Sequence, residues 1–167
     1  VSSAASDVYK RQTYNHRIRR VTGANISTVA GTGTQGWSVD GAAALDARIG
    51  IPSSICFDTV GNLYFADLAQ HVVRKVDIYG VITTLAGNSQ KGFSPDGTAT
   101  LAAQLHRPFG VAVRRDGTVY FTDACNNRVQ KFDSNGNFII AWGTSGSGDG
   151  QFNNPRGVAV DSSGDVY

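Results

Sequence analysis

Two polar clusters stand directly behind apolar runs. Asp67, Gln70 and His71 follow Leu63-Tyr64-Phe65-Ala66, and Asp123, Asn126 and Asn127 follow Val119-Tyr120-Phe121-Thr122. An earlier pair, Asn15-His16, has the same flavour, and two arginines, Arg107 and Arg156, adjoin Pro108 and Pro155. Asn, Gln and His offer donors and acceptors that can read a peptide or a single-stranded ligand, and a guanidinium matches a carboxylate or phosphate. The expected binding set is therefore Asn15, His16, Gln70, His71, Arg107, Asn126, Asn127 and Arg156. Asp67 and Asp123 have a different expected role, accepting backbone N–H groups as structural turn residues.

The same residues argue against several kinds of chemistry. Zinc catalysis needs about three converging ligands and an open fourth position. The histidines do not share a repeated position: His16 aligns with His71, that column holds Asn127 next, and His106 lies elsewhere. No metal site, catalytic residue or cofactor is expected. Gly31-Thr32-Gly33-Thr34-Gln35-Gly36 has the dinucleotide-binding spacing, but no helix opens at its last glycine, and Gly87-Asn88-Ser89-Gln90-Lys91-Gly92 keeps only the outer glycines. It reads as a loop. Cys56 and Cys125 are too few and too far apart for a disulfide framework and are expected to be free thiols. Arg17, Arg19, Arg20, Arg74, Lys75, Arg128 and Lys131 recur on one strand type; they could face RNA phosphates or simply be solvated. Asn25-Ile26-Ser27 is a glycosylation triplet in a turn, of consequence if the protein is secreted.

What must position these residues is a repeat. Gly31, Gly87 and Gly143 are spaced by 56, as are Gly36-Trp37-Ser38-Val39-Asp40-Gly41 and Gly92-Phe93-Ser94-Pro95-Asp96-Gly97, and Pro52 and Pro108. Pro155 comes nine residues early, so one connection is shorter. Each unit holds four short alternating runs, clearest at 110–113, 119–122, 128–132 and 138–142, with Asp116-Gly117 and Asn135-Gly136 marking tight turns. Four antiparallel strands per repeat make a propeller blade. The expected fold is all-β, a β-propeller fragment with two complete blades (52–87 and 108–143) and two partial ones (13–31 and 155–167). Asp40 and Asp96 precede Ala-rich stretches and are expected to N-cap short helical turns. Ile49, Leu105 and Phe152, each three residues before a proline, are expected to pin the connections to the core.

Asn15-His16-Arg17-Ile18-Arg19 and Asn154-Pro155-Arg156-Gly157-Val158-Ala159-Val160-Asp161 resemble the NHL repeat family, as does the run from Pro108 to Arg128. The resemblance covers 13–167. It implies a propeller, usually six-bladed, whose upper face contacts protein in many members and RNA in others; related propellers are metal-dependent hydrolases and lyases. The blade at 52–87 departs from the pattern with Ser54 for Gly, Gln70-His71-Val72 for Asn-His-Arg, and Asp58 where the next blade has Arg114. A non-catalytic scaffold binding a protein or peptide is the expected function. A hydrolase or lyase whose metal site lies on further blades, and an RNA-binding domain, are the alternatives.

Bulk composition adds bounds. All thirteen acidic residues are Asp, Gly numbers 20 and Met is absent, a profile suited to turns and strands. A net charge of +2 selects neither nucleic acid nor an anionic membrane. No apolar run approaches the roughly 20 residues of a spanning helix, and nothing points to oligomerisation or to a compartment. Residues 1–12, VSSAASDVYKRQ, resemble translated sequencing-library adapter and are expected to be non-native, with Gln12 standing where the family pattern has Asp.

Overall fold

The computed structural model describes residues 8–167. Period-two alternation and paired glycine turns fold them into successive antiparallel sheets. The first partial blade contains β1 (Val8–Gln12), β2 (Arg17–Thr22) and β3 (Asn25–Ala30), in that order. A connection carrying the short β4 (Ala42–Ala43) leads to the second blade, made of β5 (Pro52–Phe57), β6 (Leu63–Asp67), β7 (Val72–Val76) and β8 (Val81–Ala86). The third blade repeats this as β9 (Pro108–Val113), β10 (Val119–Asp123), β11 (Arg128–Phe132) and β12 (Phe138–Trp142). The next connection is closed by β13 (Thr144–Ser145) and β14 (Gln151–Phe152) in parallel, and a bridge between Val160 and Val166 opens the fourth blade. Two complete blades flanked by partial ones match the repeat.

Alternation along the second strands builds the core. Leu63 and Phe65 point into a cluster with Ile18, Ile49 and Ile82, between the first and second blades. Tyr64, one residue out of phase, points the other way, into a cluster with Leu105, Val111, Phe121 and Phe132. A middle blade is thus apolar on both faces. Burying each Leu, Ile or Phe contributes roughly 1.5–3 kcal/mol. The connections are pinned as expected: parallel bridges join Gln35 to Ile49 and Lys91 to Leu105, and both apolar partners are buried.

Two expectations change. Asp40 and Asp96 do not cap helices. Ala42–Ala43 instead pairs with Val81 and Ile82 on the open edge of β8, making the second blade five-stranded, and both carboxylates accept bonds from arginines. An unpaired strand edge offers the connection more backbone bonds than one isolated helical turn. The basic residues also do not form a uniform solvated stripe: Arg74 and Arg128 are buried and held by protein acceptors.

The segment read as adapter-derived lies partly outside the described residues, at 1–7. Its remainder, β1, pairs with β2 from Val8 opposite Val21 to Gln12 opposite Arg17. That pairing is made by backbone N–H and C=O groups, whatever side chains the strand carries.

Candidate functional site

The turns between second and third strands gather at one end of the blades with the connections entering each blade, the upper face. The anchors are the two aspartates. Asp67 is 1% exposed and accepts from the backbone N–H groups of Gly50 (2.6 Å), Ile51 (3.0 Å) and Gln70 (3.1 Å). Asp123, fully buried, accepts from the His106 N–H (2.7 Å) and from the side chains of Asn126 (2.9 Å), Arg128 (3.0 Å) and Gln130 (2.9 Å). Burial pushes both carboxyl groups above the usual range, and the surrounding donors pull back. Each of these contacts is a donor, so the geometry suits the ionised form. Each aspartate ties its turn to the connection entering the same blade.

The next column clasps adjacent blades. His16, His71 and Asn127 all adopt left-handed backbone, with φ of 49°, 56° and 54°. His71 Nδ1 accepts from the Arg107 N–H at 3.1 Å, and Asn127 Oδ1 accepts from the Asn154 N–H at 2.7 Å. His16 Nδ1 meets the Gly50 carbonyl at 2.5 Å, so there the ring nitrogen donates. These three side chains face the following connection. The His71 ring also meets His106 edge-on at 5.9 Å. Its pKa is lowered by burial first, then by His106, Lys91 and Arg107.

Arg107 and Arg156 are exposed, and both line a small cleft with Leu68, Phe109, Cys125 and Asn154. The Arg156 guanidinium lies 5.6 Å from the centre of the Phe109 ring. No acidic side chain lines the cleft, so it presents two cations beside an aromatic ring. Asn126 is occupied, its side chain donating to the Gly92 carbonyl (2.8 Å) as well as to Asp123. Asn15 is exposed beside the clasp of the first blade, and Gln70 lines a separate cleft with Trp37 and Leu101. The expected binding residues therefore share one face, but only the two arginines come together at one opening.

Sequence reasoning missed a second recurring device. Arg74 donates to the Ser38 carbonyl (3.1 Å) and to Asp40 (3.3 Å), with its guanidinium 4.3 Å above the Trp37 ring. Arg128 donates to the Ser94 carbonyl (3.1 Å) and to Asp96 (3.3 Å), 4.5 Å above Phe93. The signal was the aromatic-Ser-x-Asp segment repeated at 37–40 and 93–96. Among the described residues no three His, Cys or Asp side chains converge as metal ligands. The amides of Gly31, Thr32 and Gly36 are bonded to the carbonyls of Ala44, Ala47 and Ile49, so the glycine-rich segment is a closed loop. Cys56 and Cys125 are free.

Comparison with known proteins agrees with this architecture. The model of the teneurin NHL domain matches residues 2–95, more than half of the chain. Mouse (Mus musculus) teneurin-3 is 32% identical over 157 residues, covering 82% of this chain and 6% of its own length. Peptidylglycine alpha-amidating monooxygenase of Rattus norvegicus is 31% identical over 119 residues, 66% of this chain and 12% of its own. Human (Homo sapiens) NHL repeat-containing protein 3 is 30% identical over 119 residues, 68% of this chain and 31% of its own. The chain thus spans less than a third of each relative. A streptogramin B lyase structure superposes with a TM-score of 0.63 at 13% identity, over 99% of this chain and 45% of that one, a likeness of fold. The 56-residue repeat, the four-stranded blades and the match over 2–95 together place the chain in the teneurin NHL domain family.

Proposed function

We propose that the chain contributes to a non-catalytic scaffold that binds an acidic protein or peptide segment through its upper face. The observation that carries this reading is the cleft between Arg107 and Arg156, cationic, aromatic-backed by Phe109 and without an acidic neighbour in its lining. Guanidinium groups pair with carboxylates in a bidentate manner, and an aromatic floor lets an aliphatic stem pack between them. The buried aspartates and the inter-blade clasps make the rigid base such a site requires.

The test is binding of fluorescent peptides ending in an Asp- or Glu-rich segment to the full chain, against the Arg107→Ala/Arg156→Ala double variant. Loss of roughly tenfold or more in affinity, about 1.4 kcal/mol, is expected. Equal binding by both proteins, or preference for single-stranded RNA over the peptides, would overturn the reading. A second reading, a propeller hydrolase or lyase, draws on the kinship with the amidating monooxygenase. It requires metal ligands supplied by further blades, and metal-dependent turnover by a longer chain would establish it.

A further inference from the structure

We propose that Asn25 is an N-glycosylation site on the outer, lower rim of the first blade. Of all asparagines in the chain, Asn25 alone is followed two residues later by Ser or Thr with a residue other than Pro between. The fold then leaves room for a glycan at that triplet. Asn25 opens β3 directly after the two-residue turn Gly23-Ala24, opposite Thr22 on β2. Residues 23–27 are all exposed, and a side chain added at Gly23 would meet open space. Asn25 and Ser27 are two apart in a strand, so carboxamide and hydroxyl lie on the same face.

The corresponding hairpins of the complete blades differ. There Asp77 and Asp133 begin longer turns, and their carboxylates accept from the turn amides of Tyr79 and Val81 and of Asn135 and Asn137. The first blade replaces that closed turn with a short one and an exposed amide. Among the described residues β3 is also the terminal strand of its sheet, paired with β2 alone. A glycan at its start would screen an edge otherwise able to pair with another chain. Arg17 and Thr22 mark the two ends of β2, about 17 Å apart at 3.3 Å per residue, so a glycan beside Thr22 leaves the upper face clear.

In the reaction, the Asn25 side-chain nitrogen forms a bond to the anomeric carbon of a lipid-diphosphate-linked oligosaccharide. The bond from that carbon to the phosphate oxygen breaks, the lipid diphosphate leaves with the electron pair, and the nitrogen gives up one proton. No oxidant or reductant is involved.

The experiment expresses the full chain behind a secretory leader in animal cells, with a control Asn-x-Thr tag at its end. Peptide mapping after amidase release in ¹⁸O water reads each site. Modification of Asn25 in the unaltered chain is expected, with loss in both Asn25→Gln and Ser27→Ala and retention in Ser27→Thr. Because the transfer acts on the chain as it enters the compartment, these results do not depend on variant stability. A chain carrying sugar on the control tag but none at Asn25 overturns the proposal, as does sugar at Asn25 that persists in Ser27→Ala.

Discussion

The second and third blades solve one mechanical problem from different positions. Each must hold its incoming connection by an arginine that reaches an aromatic-Ser-x-Asp segment, and the bond lengths are the same in both, 3.1 Å to the Ser carbonyl and 3.3 Å to the Asp. Yet Arg74 aligns with Gln130, while Arg128 aligns with Val72. Residues two apart on a strand face the same side, so a long flexible side chain can serve the same acceptors from either place. What differs is the neighbouring aspartate. Arg128 also donates to Asp123, joining turn and connection into one buried network, whereas Asp67 is satisfied by backbone N–H groups.

The largest expected effect follows from that difference. Asp123→Ala leaves the buried Arg128 without its nearest counter-charge and should cost about 3–5 kcal/mol. Asp67→Ala exposes no bonded cation, only orphaned amides, and should cost about 2–3 kcal/mol. Urea unfolding midpoints of the full chain measure both. Equal losses would mean that the Asp123–Arg128 contact adds nothing beyond turn closure.

Exchanging the arginine positions sharpens the comparison. Arg74→Gln alone should lose about 2 kcal/mol, since Asp40 is 40% exposed and can rehydrate. Adding Val72→Arg copies the third blade and should recover at least half of that loss. No recovery would show that Arg74 is held to its position by its bond to the Thr83 carbonyl rather than by reach.

These arginines also show where sequence reading succeeds and stops. The four-stranded repeat was legible because Gly31, Gly87 and Gly143, and the prolines, repeat at positions where backbone geometry leaves little choice. Asp67 accepts a turn amide, from Gln70, whereas Asp123 takes one backbone N–H from the distant His106 and otherwise side-chain donors, which its place behind a strand does not reveal. The arginine contact with the aromatic-Ser-x-Asp segment was hidden because alignment compares columns, and Arg74 and Arg128 occupy different ones. The merging of Arg107 and Arg156 into one cleft depends on how neighbouring connections pack, which period and spacing do not encode. Asp40 and Asp96 misled because local capping preference lost to a distant arginine.

The smallest effect concerns the inter-blade clasp, where His71 and Asn127 do the same work with different titration behaviour. His71 must be unprotonated at Nδ1 to accept the Arg107 N–H, and burial with His106, Lys91 and Arg107 around it lowers its pKa. In the unfolded chain it titrates near 6.5. Between its lowered folded value and 6.5 the unfolded state binds more protons, so stability rises with pH across that window. The contribution is complete above about 6.5 and is lost as pH falls through the folded value. Asn127 accepts the Asn154 N–H without any such dependence. His71→Asn should therefore retain the clasp and reduce the drop in unfolding midpoint between pH 7.5 and pH 5, while leaving the value at pH 7.5 nearly unchanged. An undiminished drop would assign the acid sensitivity to other groups and leave the clasp indifferent to which residue makes it.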